Sequence, residues 1–221
     1  MNKKRIIFCD FDGTITTSDN IIAIMKEFAP PEWEEIKDQI LAREVSIQEG
    51  VGALFSTLPS HRKNDILQFL LERAVIRDGF EEFVAYTRNE DIELKIVSGG
   101  IDFFVYPLLK PYGLEDHIYC NGSDFSGDRI RITWPYTCDA QCTNGCGCCK
   151  PSILRTYSDD YFKIVIGDSV TDLEAAKVAD QVYACDDYLI NQCEELNLSY
   201  KRFESFHEII EQLEQQKEVA T

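Results

Sequence analysis

Positive charge is scarce in this chain. Its 221 residues carry 22 Lys and Arg against 39 Asp and Glu, a formal net charge of −17. Such a field repels polyanions, which argues against nucleic acid or an anionic membrane as the main partner. It also obliges any anionic small substrate to find positive charge locally. Histidine is rarer still: His61, His117 and His207 are scattered and suggest neither a triad nor a metal site. No stretch approaches the ~20 apolar residues that a membrane span needs. The basic start, Met1 to Arg5, is followed by too short an apolar run before Asp10 for a signal peptide. Internal repeats, low-complexity tracts and long linkers are missing too. These absences lead us to expect a cytoplasmic globular protein, with no nucleic acid and no membrane among its partners. Its apolar fraction of 44% suits a sizeable core, and its length suits one large domain or a core with an insertion.

The chain opens on a buried strand over residues 4–10. Residues 19–74 then read as entirely helical. Asp19 can cap a helix carrying Ile21, Ile22, Ile24, Met25 and Phe28, which Pro30-Pro31 ends. A second helix runs through Trp33, Ile36, Ile40 and Leu41. Ser46-Ile47-Gln48-Glu49 matches a capping box and opens a third. Pro59-Ser60 starts a fourth, expected to place Ile66, Phe69, Leu70 and Leu71 on one face. Strands and helices then alternate: helix 80–88, strand 94–98, helix 102–110, a strand and hairpin over 119–133, helix 151–157, strand 162–166, helix 171–179 and a short strand 181–185. Ser205-Phe206-His207-Glu208 matches a capping box for the last helix. This alternation predicts an α/β fold, a Rossmann-like, mostly parallel sheet with helices on both faces. The predicted core is 1–17 with 76–221, and 18–75 is a helical cap subdomain inserted into it.

Four segments at strand ends or helix starts suit phosphate chemistry. Asp10-Phe11-Asp12-Gly13-Thr14 follows the apolar run Ile6 to Cys9. In extended backbone, residues two apart share a face, so both carboxylates can meet one small volume at the carboxyl end of the strand. Two packed carboxylates ask for a divalent ion, a shared proton, or both. Ser98-Gly99-Gly100 offers a hydroxyl and backbone N–H groups to phosphate oxygens. Lys150, at a helix start, is a point charge for an anion. Gly167-Asp168-Ser169-Val170-Thr171-Asp172 supplies two further acids, Asp168 placed as a metal ligand. Each has a plain reading when taken singly: a turn, a flexible loop, a solvated lysine, charges favoured at a helix N-terminus. Their order and context together make coincidence improbable.

This set of motifs resembles the haloacid dehalogenase superfamily over nearly the whole chain. The inserted helices resemble the cap of its phosphoserine-phosphatase-like members. The resemblance implies an Mg²⁺-dependent phosphomonoesterase acting on a small phosphorylated metabolite. Asp10 would be the nucleophile, forming an aspartyl phosphate. Asp12 would protonate the leaving oxygen and then activate water. Ser98, the Gly99 backbone and Lys150 would hold the transferring phosphoryl group. Mg²⁺ would be bound by Asp10, the Asp12 carbonyl and Asp168, with Asp172 and Thr14 supporting. Dehalogenase members lack the second Asp, so Asp12 favours phosphate esters. An acid in the first cap helix grips the substrate ammonium in phosphoserine phosphatases, and Asp19 falls near it. The position of their carboxylate-binding cap arginine falls on Gly52, with Arg43 nearby. Phe28, Trp33 and Phe55 could line an apolar pocket, but core packing is their default role.

Five of nine cysteines lie at Cys138, Cys142, Cys146, Cys148 and Cys149, running into Lys150. They could be reduced thiols, a structural Zn²⁺ site or a disulfide, and would fix the loop that presents Lys150. Cys9, Cys120, Cys185 and Cys193 read as small packing residues. Two rival functions stand beside the phosphatase: a phosphoserine-type or other small-molecule phosphatase or phosphotransferase with the same site, and a metal- or redox-responsive binding protein that works through the cysteine loop. Monomer and homodimer both remain open.

Overall fold

A computed structural model describes residues 3–219. The apolar segment Lys4–Cys9 (β1) becomes the middle strand of a seven-stranded sheet. The other strands are Glu93–Ile101 (β2), Ile118–Asp124 (β3), Arg131–Thr133 (β4), Tyr161–Gly167 (β5), Gln181–Ala184 (β6) and Tyr200–Arg202 (β7). Their order is β4-β3-β2-β1-β5-β6-β7, and only the β3–β4 pair is antiparallel. The predicted mostly parallel sheet is therefore present. Ile6, Ile7 and Cys9 are fully buried, as a strand covered on both faces requires.

Between β1 and β2 lie Asn20–Phe28 (α1), Trp33–Leu41 (α2), Ile47–Ser56 (α3), Lys63–Arg73 (α4) and Phe80–Asn89 (α5). Asp19 caps α1 by accepting from the Ile22 N–H at 2.9 Å, and Ser46 with Glu49 closes the expected box at α3. A 3₁₀ turn over Ser60–Arg62 precedes α4. The α4 face is narrower than expected: Ile66 and Leu70 are buried, Phe69 is partly buried, and Leu71 is 52% exposed. Leu71 follows Leu70 by about 100° around the helix and turns away from the core. Phe55 and Trp33 are core residues, and Phe28 stacks edge-on against Phe69 at 5.3 Å. The segments that lead into α1 and out of α4 meet side by side. Thr16 bridges Ile76, the Thr17 N–H donates to the Val75 carbonyl and the Arg77 N–H to the Ile15 carbonyl.

After β2 come Asp102–Leu109 (α6), Lys150–Arg155 (α7), Val170–Ala176 (α8), Asp187–Glu195 (α9) and Phe206–Val219 (α10). Two elements had no sequence expectation: α9, capped by Asp186 through the Tyr188 N–H, and the edge strand β7. The box expected at Ser205 does not form as such. Glu208 accepts from the Glu204 N–H and the Ser205 hydroxyl instead. Strand β2 also runs further than expected, carrying Ser98-Gly99-Gly100 within it, with a break of register against β3 between Val97 and Ile101. Among the described residues no helix is long and apolar enough to cross a membrane.

Candidate active site

The register of the sheet assembles the site. Cys9 lies level with Ile96 of β2 and with Ile166 of β5, and the Asp10 N–H donates to the Ile166 carbonyl at 2.9 Å. Asp10 and Asp168 therefore follow β1 and β5, and Ser98, inside β2, lies just beyond the level of Cys9, so all three meet at one carboxyl edge.

Lys150 reaches this edge from the first turn of α7. It is 3% exposed, and its Nζ lies 2.6 Å from Oδ1 of Asp10 and 2.6 Å from Oδ1 of Asp172. Burial disfavours the ammonium, but the two carboxylates outweigh it and hold Lys150 well above its ordinary pKa. The second oxygen of Asp172 accepts from the Asp168 N–H, the Ser169 N–H and the Ser169 hydroxyl at 3.2, 3.1 and 2.9 Å. Asp172 thus closes the first turn of α8 and anchors Lys150, and both its oxygens are engaged.

Asp168 is partly buried, and the Thr14 hydroxyl donates to its Oδ1 at 3.1 Å. Gly13, at φ +81°, is what lets it approach: a Cβ there would collide with the Asp168 carboxylate. One oxygen from each of Asp10, Asp168 and Asp172 falls within a 4.8 Å cluster. Burial, then the Asp172 charge, pushes the Asp10 pKa up to about 6. Burial, then the charges of Asp10 and Asp172, pushes Asp168 up to about 9. One ammonium does not neutralise these carboxylates. An all-oxygen set of this kind, short of positive charge, fits a hard divalent cation.

Asp12 points across the gap from Gly100, where a Cβ would stand 2.8 Å from its Oδ2. Its Oδ1 accepts from both the backbone N–H (3.0 Å) and the side-chain amide (2.7 Å) of Asn20. Burial, then Asp19 and Asp10, holds the Asp12 pKa well up, and the Asn20 donors pull against this. A raised carboxyl in this place can carry a proton at neutral pH. Asp19 itself is exposed and spends its carboxylate on capping α1. Ser98 is fully buried, and its Oγ accepts from the Gly100 N–H at 2.8 Å.

Three supporting residues had no sequence expectation. Asn20 is a buried polar residue at the head of an apolar helix, which is the signal that marks it. Arg77 donates from Nη2 to the Gly13 carbonyl (2.6 Å) and from Nε to the Thr14 carbonyl (2.7 Å), bracing the turn after β1. A cation just where the chain re-enters an acid-rich core was its clue. Asn121 donates to the Gly99 carbonyl at 2.7 Å and braces the Ser98–Gly100 stretch of β2 from β3.

The cysteine loop divides. Cys138, Cys142, Cys146 and Cys149 bring their sulfurs within 4.8 Å of one another. Cys148 does not join them: it packs with Val97, Ile153 and Leu154 and points its thiol at the Tyr119 carbonyl. None of the nine cysteines forms a disulfide in this structure.

Comparison with known proteins bears on the family and the class of activity. The haloacid dehalogenase-like hydrolase family matches residues 7–177. The chain is 56% identical to a 2-hydroxy-3-keto-5-methylthiopentenyl-1-phosphate phosphatase of Geobacillus thermodenitrificans, with both proteins covered in full. It is 57% identical to the one from Brevibacillus brevis, covering 99% of this chain and 100% of the relative. Its fold is that of a phosphoserine phosphatase solved as a phospho-aspartyl intermediate analogue, at 20% identity and TM-score 0.69, covering 95% and 98% of the two chains. The chain belongs to the haloacid dehalogenase-like hydrolase family and is a phosphoric monoester hydrolase.

Proposed function

We propose that the protein hydrolyses the enol phosphate 2-hydroxy-3-keto-5-methylthiopentenyl-1-phosphate in methionine salvage, releasing phosphate and an acireductone. The observation that supports the chemistry is Lys150, held 2.6 Å from Asp10, whose carboxylate clusters with those of Asp168 and Asp172. The named substrate rests on the full-length similarity to phosphatases of that name.

In this reading a carboxylate oxygen of Asp10 attacks phosphorus, and the bond to the enol oxygen breaks. Asp12 gives its proton to the departing enolate oxygen. The deprotonated Asp12 then takes a proton from water, whose oxygen attacks the aspartyl phosphate and frees Asp10 and inorganic phosphate. Lys150, the Ser98 hydroxyl and the Gly99 N–H hold the phosphoryl oxygens. Asp10, the Asp12 carbonyl and Asp168 would hold Mg²⁺, which supplies the charge that lets one anion approach another. Asp172 keeps Lys150 in place and Asn20 aims Asp12.

The helices over 18–75 would act as the cap over this edge. A cleft of about 550 Å³ opens between the α2–α3 turn and the start of α8, lined by Leu41, Val45, Ile47, Val170 and Tyr188. Val170 and Thr171 directly follow Ser169, so the cleft adjoins the site; Arg43, Glu44, Asn144 and Glu174 also line it, and its apolar part suits a thioether tail. Gly52 brings no cation for a substrate carboxylate, which weighs against phosphoserine. The test is phosphate release from the freshly generated enol phosphate in Mg²⁺, with phosphoserine alongside and the Asp10→Asn protein as control. Rapid release from the enol phosphate alone, lost in the control, is expected. Preference for phosphoserine would keep the mechanism and overturn the substrate.

A further inference from the structure

The cysteine loop takes no part in the phosphoryl chemistry, yet its four inward sulfurs are the most concentrated set of soft ligands in the described residues. Their Sγ atoms share a sphere of mutual distances within 4.8 Å, and those of Cys142 and Cys146 are 3.8 Å apart. Four thiolates at about 2.3 Å from a tetrahedral Zn²⁺ stand ~3.8 Å from each other. Disulfides would pair the sulfurs two by two, whereas here all four converge on one centre.

We propose that Cys138, Cys142, Cys146 and Cys149 form a structural Zn²⁺ site. The surroundings are built as an outer shell to such a site. The Ser152 hydroxyl donates to the Cys149 sulfur at 2.9 Å and accepts from the Asp139 N–H at 3.0 Å. Arg155 grips Asp139 through two hydrogen bonds of 2.8 and 2.7 Å, closing the loop onto α7 and bringing a cation to its edge. Gly145 and Gly147, at φ +60° and +75°, supply the tight turns that bring the ligands round. Each thiol yields its proton to solvent as its bond to the metal forms, leaving a centre of net charge −2.

The site would staple two parts of the molecule. The Gly145 carbonyl accepts from the Gln48 N–H of α3 at 2.9 Å, while Cys149 is the residue before Lys150. A metal at the four sulfurs would fix a loop that joins the α3 helix to the lysine at the active edge. This role is independent of which phosphate ester is hydrolysed.

Metal analysis of protein purified under reducing conditions with zinc supplied, then dialysed against a weak chelator, tests the site. About one zinc per chain is expected, and its removal by a strong chelator lowers Tm by several degrees. The Co²⁺-loaded protein should show the intense visible bands and sulfur-to-metal charge transfer of a tetrahedral thiolate centre. Cys146→Ser and Cys142→Ser should reduce retained metal to background, while Cys148→Ser keeps it. If the buried Cys146→Ser protein does not fold, the partly exposed Cys142 and the wild-type cobalt spectrum still decide. Iron in place of zinc, no metal with every thiol free to titrate, an octahedral cobalt spectrum, or equal loss in Cys148→Ser would each overturn the proposal.

Discussion

In the proposed mechanism Lys150 serves folding and chemistry at once. It pairs with both Asp10 and Asp172, all three side chains being buried, so its removal strands two buried carboxylates. Breaking such a pair from one side costs about 3–5 kcal/mol. The Lys150→Met protein should therefore lose stability of that order in urea unfolding and lose phosphate release by more than ~100-fold. An unfolding midpoint equal to that of the wild type would contradict the clamp. Asn20 makes a subtler case, because it touches no substrate in our reading. Its side-chain amide favours the ionised form of Asp12. Asn20→Ala removes that donor and leaves the backbone one, so the Asp12 pKa should rise further. Activity that needs protonated Asp12 would then persist to higher pH, shifting the alkaline limb of the kcat/KM profile upward. An unmoved limb with lowered activity would mean that Asn20 only packs.

At the scale of elements, the capping box at α3 offers a clean measurement. Ser46 accepts from the Glu49 N–H and Glu49 accepts from Ser46, both at the surface. Ser46→Ala should cost about 1 kcal/mol in stability, and Cys148→Ser should not reproduce its effect on the cysteine loop. The Gly145 turn packs on the Ser46 side chain, so the same substitution should loosen that loop and speed amide exchange over 142–146. Unchanged exchange there would separate the box from the loop. Elements like this were legible in the sequence because their signals are local. The capped α1 and α3, the buried β1 and the motif at 167–172 each announce themselves within a few residues. What escaped was set by distant contacts. Strand β7 is three residues long and exists only because β6 offers it an edge. Ser98–Gly100 reads as a loop from its glycines, but Asn121 and the neighbouring β3 keep it in the strand. Arg77 and Asn20 meet Gly13 and Asp12 through the fold and not through spacing. The sequence pattern singled out Asp10, Asp12, Ser98, Lys150 and Asp168 as candidates, while the contacts of Asn20, Arg77 and Asn121 that brace this edge needed the tertiary arrangement.

The whole molecule carries an excess of acid, and the active edge concentrates it. With no cation bound, the folded chain holds protons on Asp10 and Asp168 that the unfolded chain would release, since their pKa values rise from 3.8 to about 6 and about 9. The sign follows from linkage. Raised carboxyl groups contribute most to stability below the unfolded value near 3.8, and that contribution drains away as pH climbs through about 6 and on toward about 9. Mg²⁺ stabilises the ionised carboxylates, so it should offset this loss. Thermal unfolding with and without Mg²⁺ should therefore differ little near about pH 5 and increasingly toward about pH 9, as more of the cluster must ionise. The Asp10→Asn protein removes one titrating group and should flatten the slope of the Mg²⁺-free curve without abolishing it, because Asp168 remains. A Mg²⁺ stabilisation that stays constant across this range would mean that the buried carboxylates are already ionised in the free protein, and that Lys150 alone is enough to hold them so.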